Sequence, residues 1–280
     1  MKRIRKTVRG RSVVDGAGVH LVRVLAGHDV KDFDPFLMLD SFDSKNPDDY
    51  IKGFPFHPHR GIETITYLIE GEIIHQDSLG NKGTIHAGEA QWMTAGSGIL
   101  HQEMPQAVPR MLGIQIWLNL SRKDKMTHPA YFDITGDMVP AVTENFGTVR
   151  VISGEYAGTK GVNPPYILAT LYDVALETGK QAVIPVKKDE NAFIFLIEGD
   201  AIVNEAPLSE KTAVLFEMEG NSIQVSAPED APARFIFFSG KQLKEPIAWG
   251  GPIVMNTEEE LRQTFVELEE GTFIRHAPSA

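Results

Sequence analysis

The tetrapeptide Leu-Ile-Glu-Gly occurs twice, at Leu68–Gly71 and at Leu196–Gly199, each time closing a run of β-branched and aromatic residues. The flanks match as well: "ETITYLIEGEIIHQD" (Glu63 to Asp77) reads against "NAFIFLIEGDAIVNE" (Asn191 to Glu205), and "MLGIQIWL" from Met111 has its counterpart in "ARFIFFSG" from Ala233. An offset of about 120 to 128 residues is too long for a solenoid and suits two copies of one small domain. Within the first copy, Glu63, Ile65, Tyr67 and Ile69 fall on one face of an extended chain and Ile62, Thr64, Thr66 and Leu68 on the other. Apolar bulk on both faces marks a strand buried between sheets. Glycine, proline and asparagine interrupt such runs at short intervals throughout, so the chain is expected to be all-β. Two similar β-barrels in tandem follow, 1–145 and 146–280, with the boundary inside Thr143–Gly161. Helix is expected only in "NTEEELRQTFVELEEG", where Asn256 and Thr257 are candidate caps, Glu260 completes a capping box, Leu261, Phe265 and Leu268 recur at helical spacing, and Gly271 stops the run.

With 280 residues, 42% of them hydrophobic, there is material for a sizeable core. The absence of cysteine removes disulfides, thiolate metal sites and a thiol nucleophile, and leaves nitrogen and oxygen as the only metal ligands. A net charge of −11 argues against broad nucleic-acid or anionic-membrane surfaces. The basic N-terminus (Lys2, Arg3, Arg5, Lys6, Arg9, Arg11) reads as the solvated face of a first strand with Ile4 and Val8 turned inward, rather than as a nucleic-acid arm. No apolar run of signal-peptide or membrane-spanning type follows, and a cytoplasmic, monomeric protein is expected.

Two short segments carry chemistry. In "FPFHPHRG" (Phe54 to Gly61), Pro58 fixes its own φ and biases His57 toward extended geometry, so His57 and His59 point to one side. Forty-two residues after His59, "HQE" places His101 and Glu103 in the same i, i+2 relation. Two such pairs facing each other inside a barrel would bring three imidazoles and a carboxylate together, a donor set suited to Fe(II), Mn(II), Ni(II), Cu(II) or Zn(II) with coordination positions left for exchange. Phe54, Phe56, Trp92 and Met93 are candidates for an apolar pocket wall or for plain core. Gly96 and Gly98 are expected to permit the turn that aims His101 inward. His20, His28, His75, His86, His128 and His276 lack partners at ligand spacing and are assigned to surface or structural roles.

The pattern G-x₃-H-x-H-x₃-E-x₇-G from Gly53 to Gly71 resembles the first cupin motif. "GEAQWMTAGSGILHQEMP" (Gly88 to Pro105) resembles the second cupin motif in the form found in pirins, and the stretch Gly240 to Phe265 is similar to the pirin C-terminal segment. This resemblance implies two tandem cupin jelly-roll barrels with a short C-terminal helix. It also implies one metal, usually iron, held by His57, His59, His101 and Glu103, with Ni, Mn, Cu or Zn as alternatives. In ordinary cupins the position of Glu63 is a ligand. In pirins Glu103 replaces it, which leaves Glu63 in a supporting position or an ion pair with Arg60, although parity alone leaves direct ligation open. Carrying the 128-residue offset back from the repeat, His57 and His59 correspond to Pro185 and Lys187, so the second barrel is expected to be metal-free. The activity implied is that of a flavonol 2,3-dioxygenase opening quercetin-like aromatics with O₂, with Glu103 as general base. The alternative implied by the same resemblance is a redox-sensing regulator that acts on a transcription factor or a metabolic enzyme through a protein partner.

Overall fold

Strand follows strand in the computed structural model, which describes residues 1–276 and contains two α-helices, Val30–Phe33 and Glu258–Glu269. The chain divides into two compact units, each assembled from separated stretches. One comprises Met1–Arg11, Asp29–Pro35 and Gly136–Gln242; the other comprises Ser12–His28, Phe36–Thr135 and the residues from Leu243 onward.

The unit bearing both histidine segments is built on two sheets. Its seven-stranded sheet runs in the order Ala130–Ile134, Ala90–Thr94, Ile62–Glu70, Met111–Asn119, Phe36–Ser44, Val19–Leu25, Arg11–Asp15. A four-stranded sheet runs Phe54–His59, Ile99–Pro105, Glu72–Asp77, Lys82–His86. Leu21, Phe42, Leu68 and Met111 of the first sheet pack with Ile73 and Ile85 of the second in one apolar cluster, which places the two layers face to face. Ile62–Glu70 is buried over all but its last residue, as expected from apolar bulk on both of its faces.

The other unit repeats the plan. Asn191–Glu198 and Ala233–Gly240 pair at the centre of a seven-stranded sheet, as their sequence counterparts Ile62–Glu70 and Met111–Asn119 do in the first. Its four-stranded sheet turns Ala182, Ile184, Ile223 and Val225 into a core with Ile194, Leu196, Phe235 and Phe237. The strand Ile4–Arg9 joins this unit by pairing with Thr212–Phe216, its Ile4 and Val8 half-buried. The basic residues beside it are engaged locally: Lys6 with Asp29 and Asp32, Arg5 with Asp32, and the buried Lys2 with the carbonyls of Glu217 and Met218. Among the described residues, no helix is long and apolar enough to cross a membrane.

The C-terminal helix has the expected capping box, with Glu260 N–H donating to Thr257 Oγ1 at 3.1 Å and Thr257 N–H donating to Glu260 Oε2 at 2.9 Å. Its packed side keeps Leu261 and Leu268 of the apolar spacing but not Phe265. Leu261, Thr264 and Glu267 face inward while Phe265 is exposed, because the surface this helix meets presents a buried arginine, Arg60, that requires polar partners.

Candidate metal centre

Phe54–His59 is an edge strand, where a proline costs least, and Pro58 accordingly sits within it opposite Leu100. Antiparallel pairing sets His101 directly opposite His57 and Ile99 opposite His59, so three imidazoles emerge on one face of the four-stranded sheet. Their nitrogens form a compact group within 4.8 Å of one another, and ring centroids lie 4.4–5.0 Å apart. His57 Nδ1 donates to the Pro55 carbonyl at 2.9 Å and His59 Nδ1 to the Pro252 carbonyl at 3.0 Å. A carbonyl only accepts, so in the neutral rings both Nε2 atoms carry lone pairs, and these face each other at 3.1 Å. Two lone pairs at that range repel unless a cation lies between them. Nitrogens about 2.1 Å from one ion, at a right angle to each other, would be separated by about 3 Å.

The buried imidazole of His101 has no hydrogen-bond partner on either ring nitrogen, a costly condition unless a ligand completes it. Burial and the neighbouring His57 push the His59 imidazolium down to about 3, and burial together with His59 and His57 holds His101 well below its usual range. Both rings are therefore neutral donors near neutral pH. Three converging imidazoles suit a divalent transition metal.

Glu103, at i+2 from His101, follows a register shift on the strand side facing Phe54–His59. Its carboxylate accepts from Thr66 Oγ1 at 2.9 Å, from Gln115 Nε2 at 2.6 Å and from Gln91 Nε2. The three histidines form the compact ligand group, while the Glu103 carboxylate is held by donors from the opposite sheet. Glu63 is buried in that sheet and accepts from Thr94 Oγ1 at 2.8 Å. Arg60 pairs with Glu267 at 2.8 Å.

Several neighbours have no marker at ligand spacing. His75 is fully buried, stacks on Tyr131 at 3.9 Å, lies 5.3 Å from the His101 ring, and contacts Asp77 Oδ2 through Nε2 at 3.2 Å. Burial would raise the Asp77 carboxyl, but His75 and Asn81 together hold it below the ordinary carboxylate range. Gln91 and Gln115 did leave a trace in the sequence, as isolated amides in otherwise apolar strands, and buried amides must find partners.

His57 and His59 open onto a cavity of about 630 Å³ whose apolar wall is Phe54, Met38, Trp117 and Trp249. Trp117 lies edge-on to His59 at 4.8 Å and 5.9 Å from Trp249. A polar side of the same cavity carries Asp15, Arg23 and Asp40, with Arg23 forked onto Asp40 at 2.9 and 2.7 Å and reaching Asp15 at 2.6 Å. Of the four residues named from sequence as wall or core, only Phe54 lines this space. Phe56 points to solvent, 55% exposed, while Trp92 and Met93 are buried, with Trp92 stacked on Phe132. Gly96 and Gly98 both adopt positive φ ahead of His101, and a Cβ on Gly96 would stand 2.3 Å from the Thr127 carbonyl oxygen.

Comparison with known proteins gives the same family from both halves. The pirin family model matches residues 18–118, and the model of the pirin C-terminal cupin domain matches residues 171–274. A pirin-like protein of Caulobacter vibrioides is 42% identical over 272 residues, covering 96% of this chain and 98% of its own length. Human pirin is 36% identical, with 95% and 92% covered. The crystal structure of a quercetin 2,3-dioxygenase from Acinetobacter baumannii superposes with a TM-score of 0.90 at 31% identity, covering 98% of both chains. With both domain models matched in order and relatives aligned over nearly their full lengths, the chain belongs to the pirin family, a pair of cupin domains.

Proposed function

We propose that this protein is a metal-dependent dioxygenase acting on flavonols such as quercetin, with the ion held by His57, His59 and His101, and with Glu103 as the fourth ligand and proton acceptor. The observation that carries the proposal is the convergence of two imidazole lone pairs, 3.1 Å apart, at the wall of an aromatic-lined cavity of about 630 Å³. That volume lies within the range of about 300–1,000 Å³ common for small-molecule sites. The name of the Acinetobacter baumannii relative agrees with the reading. When bound, a divalent ion such as Fe(II) would supply Lewis acidity toward a hydroxyl adjacent to a carbonyl and the electronic coupling to O₂ that the protein's own side chains lack.

The remaining work falls to the chain. Trp117 and Trp249 offer ring faces and edges against which a planar aromatic can lie, which restricts its orientation and keeps water from the buried side. Glu103 is held in place by three donors, and its carboxylate can take the proton released as the substrate hydroxyl ionises. The Nδ1 hydrogen bonds of His57 and His59 to backbone carbonyls fix the tautomers that aim Nε2 inward. The test is oxygen uptake together with loss of flavonol absorbance by the Fe(II)-loaded protein. Both are expected to vanish in His101→Ala, and turnover no faster than that of free iron would refute the proposal.

A further inference from the structure

The second half of the "HPHRG" segment has no ligand of its own, yet Arg60 and Gly61 are both buried. Their surroundings come from the far end of the sequence. Arg60 Nη1 donates to Thr264 Oγ1 at 3.1 Å, Nη2 donates to the Phe273 carbonyl at 3.0 Å and meets Glu267 Oε2 at 2.8 Å, and the guanidinium lies 4.4 Å from the Phe273 ring centre. Arg60 Nε donates to the carbonyl of Ser97, in the turn leading to His101, at 2.7 Å. The Arg60 carbonyl accepts from Val254 N–H at 3.1 Å. Gly61 has φ of +78°, and a Cβ there would stand 2.0 Å from the Val254 carbonyl oxygen, so only glycine lets the two backbones approach. Immediately upstream, His59 Nδ1 donates to the carbonyl of Pro252 at 3.0 Å. Pro252 lies in the turn between Ala248–Gly250 and Ile253–Met255, the hairpin that also places Trp249 in the cavity wall.

Arg60 thus ties three things together: following the strand that holds His57 and His59, it reaches the turn before His101 and the C-terminal helix with its guanidinium, and the hairpin with its backbone carbonyl. From this we infer that the C-terminal segment is an integral part of the metal centre, and that Arg60, locked by Glu267, is a positioning residue that sets metal affinity through His59 and His101. The effect runs through orientation, because a metal-binding imidazole whose other nitrogen loses its fixed acceptor loses part of its preorganisation. This inference rests on the proposed metal site.

The experiment measures Ni(II) affinity of the full-length protein by competition with a chromogenic chelator, at a temperature below the melting point of every variant. Glu267→Ala is expected to weaken Ni(II) binding by about tenfold, the lower end of the effect seen for outer partners of metal ligands. Glu267→Gln, which keeps an oxygen for Arg60, is expected to recover most of the loss, and Arg262→Ala on the exposed face of the same helix to change nothing. The visible bands of the Co(II)-loaded protein should shift in Glu267→Ala, a response that lost stability alone would not produce. If Glu267→Ala does not fold, Thr264→Val removes one acceptor of Arg60 at nearly constant volume and should also weaken binding. Ni(II) affinities within twofold of native in the folded variants would overturn the inference and leave the metal site standing. Failure of the native chain to bind Ni(II) would overturn both.

Discussion

Acidification of the metal-free protein below pH 6.5 is expected to destabilise the histidine-bearing unit through its buried imidazoles. His59 is held at about 3 in the folded chain against about 6.5 in an unfolded one. Above pH 6.5 the ring is neutral in both states and contributes no pH dependence. As pH falls below 6.5 the unfolded chain takes up a proton that the folded chain refuses, so stability declines by about 1.4 kcal/mol per unit until the folded value is reached. Between pH 7 and pH 5 His59 alone costs about 2 kcal/mol, and His101, shifted in the same direction by its burial, adds to the loss. Asp15, Asp77 and Glu267 are held below the ordinary carboxylate range, and their contributions are lost only at lower pH, as the folded groups take up protons. Urea unfolding followed by tryptophan fluorescence isolates the relevant unit, since Trp92, Trp117 and Trp249 all belong to it. With a slope of about 2 kcal/mol/M, the midpoint should drop by about 1 M or more between pH 7 and pH 5 in chelated protein. His59→Gln should flatten the pH dependence by about the His59 share. An unchanged pH slope in that variant would refute the reasoning.

Three further outcomes follow from named contacts. Gly61→Ala combines a positive φ with a Cβ 2.0 Å from the Val254 carbonyl oxygen, and should cost more than about 1 kcal/mol in the same fluorescence-detected unfolding. Gln115→Leu deprives the buried Glu103 carboxylate of its 2.6 Å donor and should destabilise by about 1–3 kcal/mol, measured by thermal melting of the metal-free form. Trp249→Ala should raise KM for a flavonol about tenfold while changing kcat less, as expected for loss of a ring that positions substrate without touching the metal; steady-state kinetics with Fe(II)-loaded protein decide it.

The features legible in the sequence were the local ones. Side-chain parity along an extended chain is fixed by two residues, so His57 with His59, and His101 with Glu103, were readable as pairs. The repeated Leu-Ile-Glu-Gly disclosed two strands that occupy matching central places in two sheets. Register between distant strands is not written locally. Glu103 is met by Gln91, Gln115 and Thr66 because two sheets stack at that level, and nothing in the spacing of "HQE" anticipates those donors. His75 looked isolated along the chain, yet antiparallel pairing sets it opposite Glu103. The helix stripe was legible at Leu261 and Leu268, which pack in one cluster, but not at Phe265, because the surface below contains Arg60 and selects Thr264 and Glu267.

The crossed membership of the two units bears on how the chain is made. Ile4–Arg9 finds its ladder only when Thr212–Phe216 has emerged from the ribosome. At about 5–20 residues per second that wait is on the order of 10–40 seconds, during which an unpaired edge must be kept from other chains. The strand holding His57 and His59 waits a comparable time for Pro252 and Val254. A break in the gene near residue 145 would therefore separate Ile4–Arg9 from Thr212–Phe216 and His59 from Pro252, leaving each product short of a segment supplied by the other.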